Sequence, residues 1–135
     1  MGNWIPNDPA LVAQVLKISS AYTAPPPEGF VSPMTWGVAS QVIERIAGAG
    51  IAADNVTFAR DTFTFESPGA PAMLVETFCD FYGPTMNAFE AAKKNARADD
   101  LQRELELLFN SQNQSVNQDT TLIPATYLRV TVLVN

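Results

Sequence analysis

The sequence predicts an α+β domain in which about five helices pack on a short antiparallel sheet. Two observations carry that prediction. Segments with apolar residues at helical spacing, several opened by a capping residue and a proline, fill most of the chain. Only two stretches, about 55–66 and 125–134, have the Val, Thr and Phe content of strands, and a long helical run separates them.

Taken in order, Asp8-Pro9 sets a capping carboxylate before a proline at the first helical position. Leu11, Val15, Ile18 and Tyr22 follow at helical spacing, so the first helix spans Pro9–Tyr22. Pro25-Pro26-Pro27-Glu28-Gly29 cannot continue it and reads as a stiff, extended connector. Ser32-Pro33 repeats the cap-plus-proline signature. Val38, Val42 and Ile46 then mark a second helix, which Gly48 and Gly50 end. Asn55–Glu66 is the first predicted strand, and its phase is odd. Val56 and Phe58 alternate one way, Phe63 and Phe65 the other, which calls for a bulge near Arg60-Asp61 or for cover on both faces.

After a turn at Ser67-Pro68-Gly69, Pro71–Tyr82 is a third helix with Leu74, Phe78 and Phe81 expected inward. Gly83-Pro84 breaks it, and Met86 and Phe89 fall in a short fourth helix. The fifth is expected over Ala96–Asn110, buried along Leu101, Leu105 and Leu108, with Asp99 and Asp100 at the positive end of its dipole. Gln112–Thr120 is polar and unpatterned, the signature of a mobile loop. Tyr127–Val134 is the most strongly patterned part of the second strand, with Leu128, Val130, Val132 and Val134 on one face.

Bulk properties narrow the function. At 135 residues the chain is a single domain, 1–135, long enough to bury a real core. A net charge of −6 and a lone basic cluster (Lys93, Lys94, Arg97), offset by Asp99 and Asp100, argue against nucleic acid. The absence of histidine removes the commonest general base and metal ligand. Cys79 has no second cysteine to pair with and sits among Leu74, Phe78 and Phe81, so an inert buried thiol is expected. No signal peptide or run of about 18 apolar residues is visible, so no membrane partner and a cytoplasmic location are expected.

Five phrases in order carry a family resemblance: Asn3-Trp4-Ile5-Pro6, Ser32-Pro33-Met34-Thr35-Trp36-Gly37, Thr62-Phe63-Thr64-Phe65, Tyr82-Gly83-Pro84-Thr85 and Tyr127-Leu128. Together they resemble the C-terminal, substrate-side part of class I S-adenosylmethionine-dependent small-molecule methyltransferases, the kind that includes ubiquinone and menaquinone C-methyltransferases. The resemblance implies that Asn3–Pro6 ends a fifth strand, and that the two predicted strands are the sixth and seventh, the last lying between the other two and antiparallel to both. It also implies a proline-rich lid. The departure is large: nothing here has an acidic-x-Gly-x-Gly-x-Gly turn, so the cofactor-binding half of that Rossmann-like fold is absent from this sequence. S-adenosylmethionine is implied only for a complete family member. This chain has no expected cofactor site and is not expected to methylate alone.

In that family the lid and the segment after the fifth strand shape the substrate pocket, which makes Trp4, Phe30, Met34, Trp36 and Tyr82 candidate substrate-binding residues. Aromatic side chains supply flat apolar area at low entropic cost, in keeping with an apolar small molecule. A core-packing role for Trp36 and Tyr82 stands beside that reading. Glu76 and Asp80, four apart on one helix, have the spacing of an acid–base pair and equally that of a solvated face. Arg60-Asp61 reads as a ligand-orienting pair or as a surface ion pair. No catalytic or metal-binding residue is nominated. The expected partners are a missing cofactor-binding half, or a second copy joined through the apolar edge of Tyr127–Val134 as a homodimer. The functional expectations are therefore the substrate side of a methyltransferase or a non-catalytic dimeric binding module for an apolar small molecule.

Overall fold

A computed structural model describes residues 1–134. Its fold is the predicted α+β class: a three-stranded antiparallel sheet in the order β1-β3-β2, with β1 at Gly2–Trp4, β2 at Val56–Ser67 and β3 at Thr121–Val132. Five α-helices accompany it among the described residues: α1 Leu11–Tyr22, α2 Ala39–Gly48, α3 Pro71–Phe81, α4 Gly83–Lys94 and α5 Ala98–Gln112. A 3-10 turn at Pro33–Gly37 precedes α2.

The odd phase of β2 has a clear cause. Its ladder with β3 runs without interruption from Val56↔Val132 to Ser67↔Thr121, so there is no bulge at Arg60-Asp61. Directly paired residues project to the same side of a sheet. At one end Val56, Phe58, Leu128 and Val130 therefore share a face, and they pack with Val42 and Ile46 of α2 and with Trp36. At the other end Phe65, Ile123 and Ala125 project to the opposite face, into the larger core of Leu11, Val15, Phe78, Leu101, Leu105 and Phe109. Both faces are covered, each over half its length.

The second strand begins earlier than its apolar pattern suggests, because Pro124 sits inside it. Val130 turns its backbone to Met1 (2.7 and 2.8 Å), and Leu122 turns its own to Asn113 Oδ1 and the Gln114 amide (both 2.8 Å). Even-numbered residues of β3 thus face away from β2, and Pro124 lacks its N–H where no strand pairs with it. The same contacts correct the expected homodimer through Tyr127–Val134. β1 pairs with Tyr127–Arg129, so the edge that the dimer needed is filled from within the chain.

Three helix expectations also change. Phe81 is 82% exposed rather than inward; the buried line of α3 is Pro71, Val75 and Phe78, spaced four and three apart. The fourth helix is twelve residues long because it buries small side chains, Ala88 and Ala92, that an apolar stripe does not advertise. The fifth starts at Ala98, not Ala96. Ala96 has φ +56° and caps α4, its amide donating to Lys93 O (3.2 Å) and that of Arg97 to Ala92 O (2.8 Å). Gly50 closes α2 by the same geometry, at φ +81°.

The polar segment before β3 is held by its own side chains. Asn113 donates to Thr120 O (2.9 Å), Asn117 Oδ1 accepts from the Asp119 amide (2.9 Å), and Ser115 and Thr120 share a hydroxyl hydrogen bond (2.5 Å). Asn and Ser favour such local turns, so the segment expected as a loop carries its own hydrogen bonds.

Candidate functional site

The N-terminal strand and three more distant segments enclose a cleft of about 960 Å³. Strand β1 supplies Asn3 and Trp4, α1 supplies Leu16, Lys17 and Ser19, the segment before the 3-10 turn supplies Phe30, the turn itself supplies Met34, and the α3–α4 junction supplies Tyr82 and Pro84. Of the five sequence-nominated residues, Trp4, Phe30, Met34 and Tyr82 all line it.

Each wall is set by local chemistry. Trp4 stands edge-on to Tyr127, its partner across the β1–β3 ladder, at 6.1 Å between ring centroids. Tyr82 leans on Phe78 at 5.3 Å, and burial raises its phenol pKa above the ordinary 10.0, so it remains a hydrogen-bond donor through the neutral range. Met34 is fixed at the start of its turn by a hydrogen bond from its amide to Ser32 Oγ (3.2 Å), the capping role that Ser32-Pro33 announces. Gly37 closes the turn against β1. A Cβ there would lie 2.0 Å from the Trp4 carbonyl oxygen, so only glycine allows the two backbones to meet. Phe30, 55% exposed, forms the outer rim.

Trp36 is not part of this cleft. It packs with the smaller core beside α2, and the Arg45 guanidinium lies 4.7 Å from its ring centroid. Arg45 is held there by a hydrogen bond to Thr35 Oγ1 (2.5 Å). The core-packing alternative is the one that Trp36 follows.

Two buried polar atoms of residues that border the cleft escape sequence reasoning. Ser19 is 3% exposed and its hydroxyl has no hydrogen-bond partner; the Asn3 side-chain nitrogen is likewise buried and unpaired. Both residues line the cleft. A signal for Ser19 exists in the sequence: it occupies a place in the buried series Val12, Val15, Ser19, Tyr22, where an apolar residue would be ordinary. Buried polar groups in proteins are nearly always paired, so both orphans are unusual; Asn3 pairs with Leu128 and so shares the α2 face of the sheet, opposite Trp4.

The remaining candidates read differently. Asp61 pairs with Arg129 (3.6 Å), and Arg60 with the buried carboxylate of Asp8, which also accepts a hydrogen bond from the Ala10 amide (2.9 Å). These are structural ion pairs. Glu76 and Asp80 are exposed and border a separate hollow with Glu90, Lys93 and Asp99. Burial first, then Asp80 and Glu76, push the Cys79 thiol from an ordinary 9.0 up to about 11, which leaves it protonated and unreactive near neutral pH. Among the described residues no group of three or more His, Cys, Asp and Glu side chains gathers as a metal site, and no helix is long and apolar enough to cross a membrane. The chain matches no protein-family model, no curated protein and no solved structure.

Proposed function

We propose that the chain is a binding module whose cleft takes up a small molecule with an apolar body. One observation carries this reading: Trp4, Phe30, Met34 and Tyr82, spread over most of the first two-thirds of the chain, converge on one cleft. Their rings and thioether offer apolar contact, while polar residues on the same lining, among them Asn7, Lys17, Ser20 and Asn87, can orient a ligand. The test is an amide-resolved NMR titration with 1-decanol, backed by Trp4 emission in a Trp36→Phe background. Shifts confined to β1, α1 and the Phe30–Met34 segment, abolished by Trp4→Ala, support the reading. Shifts scattered over the surface, or none, overturn it.

A second reading is favoured by the strand order. The arrangement β1-β3-β2, antiparallel throughout, is the one the methyltransferase resemblance implies for the fifth, seventh and sixth strands. On that reading the cleft is the acceptor side of an S-adenosylmethionine-dependent enzyme, and the cofactor half must come from elsewhere. Catalysis there rests largely on holding acceptor and donor in line, which one half cannot do. Isothermal titration of the chain with S-adenosylmethionine is expected to show no heat of binding. Stoichiometric uptake would overturn the division of labour on which the reading stands.

A further inference from the structure

Whatever fills the cleft, we infer that two copies of the chain join through the outer edge of β2, about a two-fold axis at Phe63, into one continuous antiparallel sheet. In the order β1-β3-β2 both edges of β3 are filled, and β2 has no strand on its outer side among the described residues. Even-numbered residues of β3 face away from β2, so the odd ones bond to it. Their register partners, as in Asp61↔Tyr127 and Phe63↔Ala125, are odd as well. The Leu133 amide, which donates to Asn55 O (2.9 Å), keeps the same parity. Phe58, Arg60, Thr62, Thr64 and Glu66 therefore turn their backbone N–H and C=O groups outward. The strand is twelve residues long and contains no proline. A long open edge of this kind is a template for another strand.

The residues along the edge select a second copy as that strand. Antiparallel strands that continue one sheet across a two-fold axis pair residues of the same face, so the axis passes through a residue that meets its own copy. An axis at Arg60 or Asp61 would oppose like charges, and one at Thr62 would set Glu66 against the partner's Phe58. At Phe63 the pairs are complementary. The Phe63 rings, 53% exposed in the single chain, meet on the face that carries Phe65 and the larger core. On the other face Arg60 lies opposite the partner's Glu66, and Thr62 opposite the partner's Thr64, each twice by symmetry. Aromatic, opposite-charge and Thr–Thr pairs are the favoured cross-strand neighbours. Arg60 keeps its bond to Asp8, since a guanidinium has donors to spare. Asp61 keeps Arg129, and the Thr62 amide exchanges its own neighbour, Asp61 Oδ1 (3.0 Å), for the partner's Thr64 carbonyl. A strand pair alone buries little area for a stable dimer. Helix α3, packed through Phe78 on Phe65 at the same face, adds the exposed side chains of Met73 and Phe81.

Sedimentation equilibrium of the full chain, from about 1 μM to about 500 μM, tests the inference; a monomer–dimer equilibrium is expected. Thr62→Pro removes an outward N–H without touching the ladder to β3, and should weaken the dimer at least tenfold. Glu66→Lys, placed against the partner's Arg60, should weaken it as well. In a Cys79→Ser background, Phe63→Cys should be trapped as a disulfide dimer by mild oxidation. Residues in such a non-hydrogen-bonded pair stand about 4.5 Å apart at Cα, within disulfide reach. Thr57→Cys, far from its own copy on this register, should stay monomeric. A chain that remains monomeric throughout, a dimer indifferent to Thr62→Pro, or equal trapping at positions 57 and 63 overturns the inference. Unchanged far-UV circular dichroism of each variant separates lost pairing from lost folding.

Discussion

The two ends of the β2–β3 ribbon solve the same problem with opposite faces. At the Val56/Val132 end the apolar residues point to α2, and the other face carries Thr57, Arg129 and Thr131. At the Phe65/Ile123 end the apolar residues point to α1, α3 and α5, and the face that α2 would have covered carries Thr62, Thr64 and Glu66. The exchange falls at Arg60-Asp61, where both side chains are ionic partners rather than core. A ribbon can thus serve two cores of unequal size without a bulge, provided that its polar and apolar residues exchange faces midway.

The inequality sets the expected response to mutation. The larger core buries Phe109 completely, ring to ring with Phe78 at 5.3 Å. Phe109→Ala should cost about 3–5 kcal/mol and lower the urea midpoint of the whole domain. Val42→Ala, at the centre of the smaller core, should cost roughly 1.5–2.5 kcal/mol from lost methyl burial and the cavity left behind. Hydrogen exchange should then show protection lost in α2 ahead of α5. Equal and global loss for both variants would mean the two cores open as one unit.

At the point of exchange, Arg60→Ala leaves the buried Asp8 carboxylate with only the Ala10 amide, and should cost about 1–3 kcal/mol. A double-mutant cycle with Asp8→Asn measures the coupling. The two helix caps refine the contrast further. Ala96 holds a left-handed conformation that Gly50 adopts freely, so Ala96→Gly should stabilise by about 0.5–1 kcal/mol and Gly50→Ala destabilise by about 1 kcal/mol. Both are read from thermal midpoints. The smallest effect concerns Cys79. With its pKa raised to about 11, its alkylation at pH 8 should be on the order of a hundredfold slower than that of an exposed cysteine. The sign follows from burial: the folded state keeps its proton longer, so this group's contribution to stability is present below about pH 9 and is lost as pH rises toward 11.

Much of this was legible in the sequence because it rests on local chemistry. Ser32-Pro33 capped its turn, Gly83-Pro84 separated α3 from α4, and Gly50 ended α2. Four of the five nominated pocket residues converged because they sit on one strand, the segment leading into the 3-10 turn and one helix junction. What escaped needed tertiary knowledge. Phe81 looked inward by composition, yet α3 turns the line through Val75 and Phe78 to the core. Ala96 looked like a good helix former, but the junction with α5 demanded a left-handed residue at that place. Trp36 carried no local mark to separate cleft from core; Arg45, nine residues later on α2, decides it. Ser19 and Asn3 stood out only once the chain was packed, because an unpaired donor is a property of its surroundings.

Gly37 has a consequence that reaches past the cleft. Its bare α-carbon lets the 3-10 turn rest on the Trp4 carbonyl and so clamps β1 in place. Any side chain there would lever β1 off β3 and uncover the backbone of residues 127–130. Molecules stripped in this way would template one another strand upon strand. The hydrogen atom at position 37 therefore guards against polymerisation, and a Gly37→Ala stock should betray itself first by turbidity rather than by lost affinity.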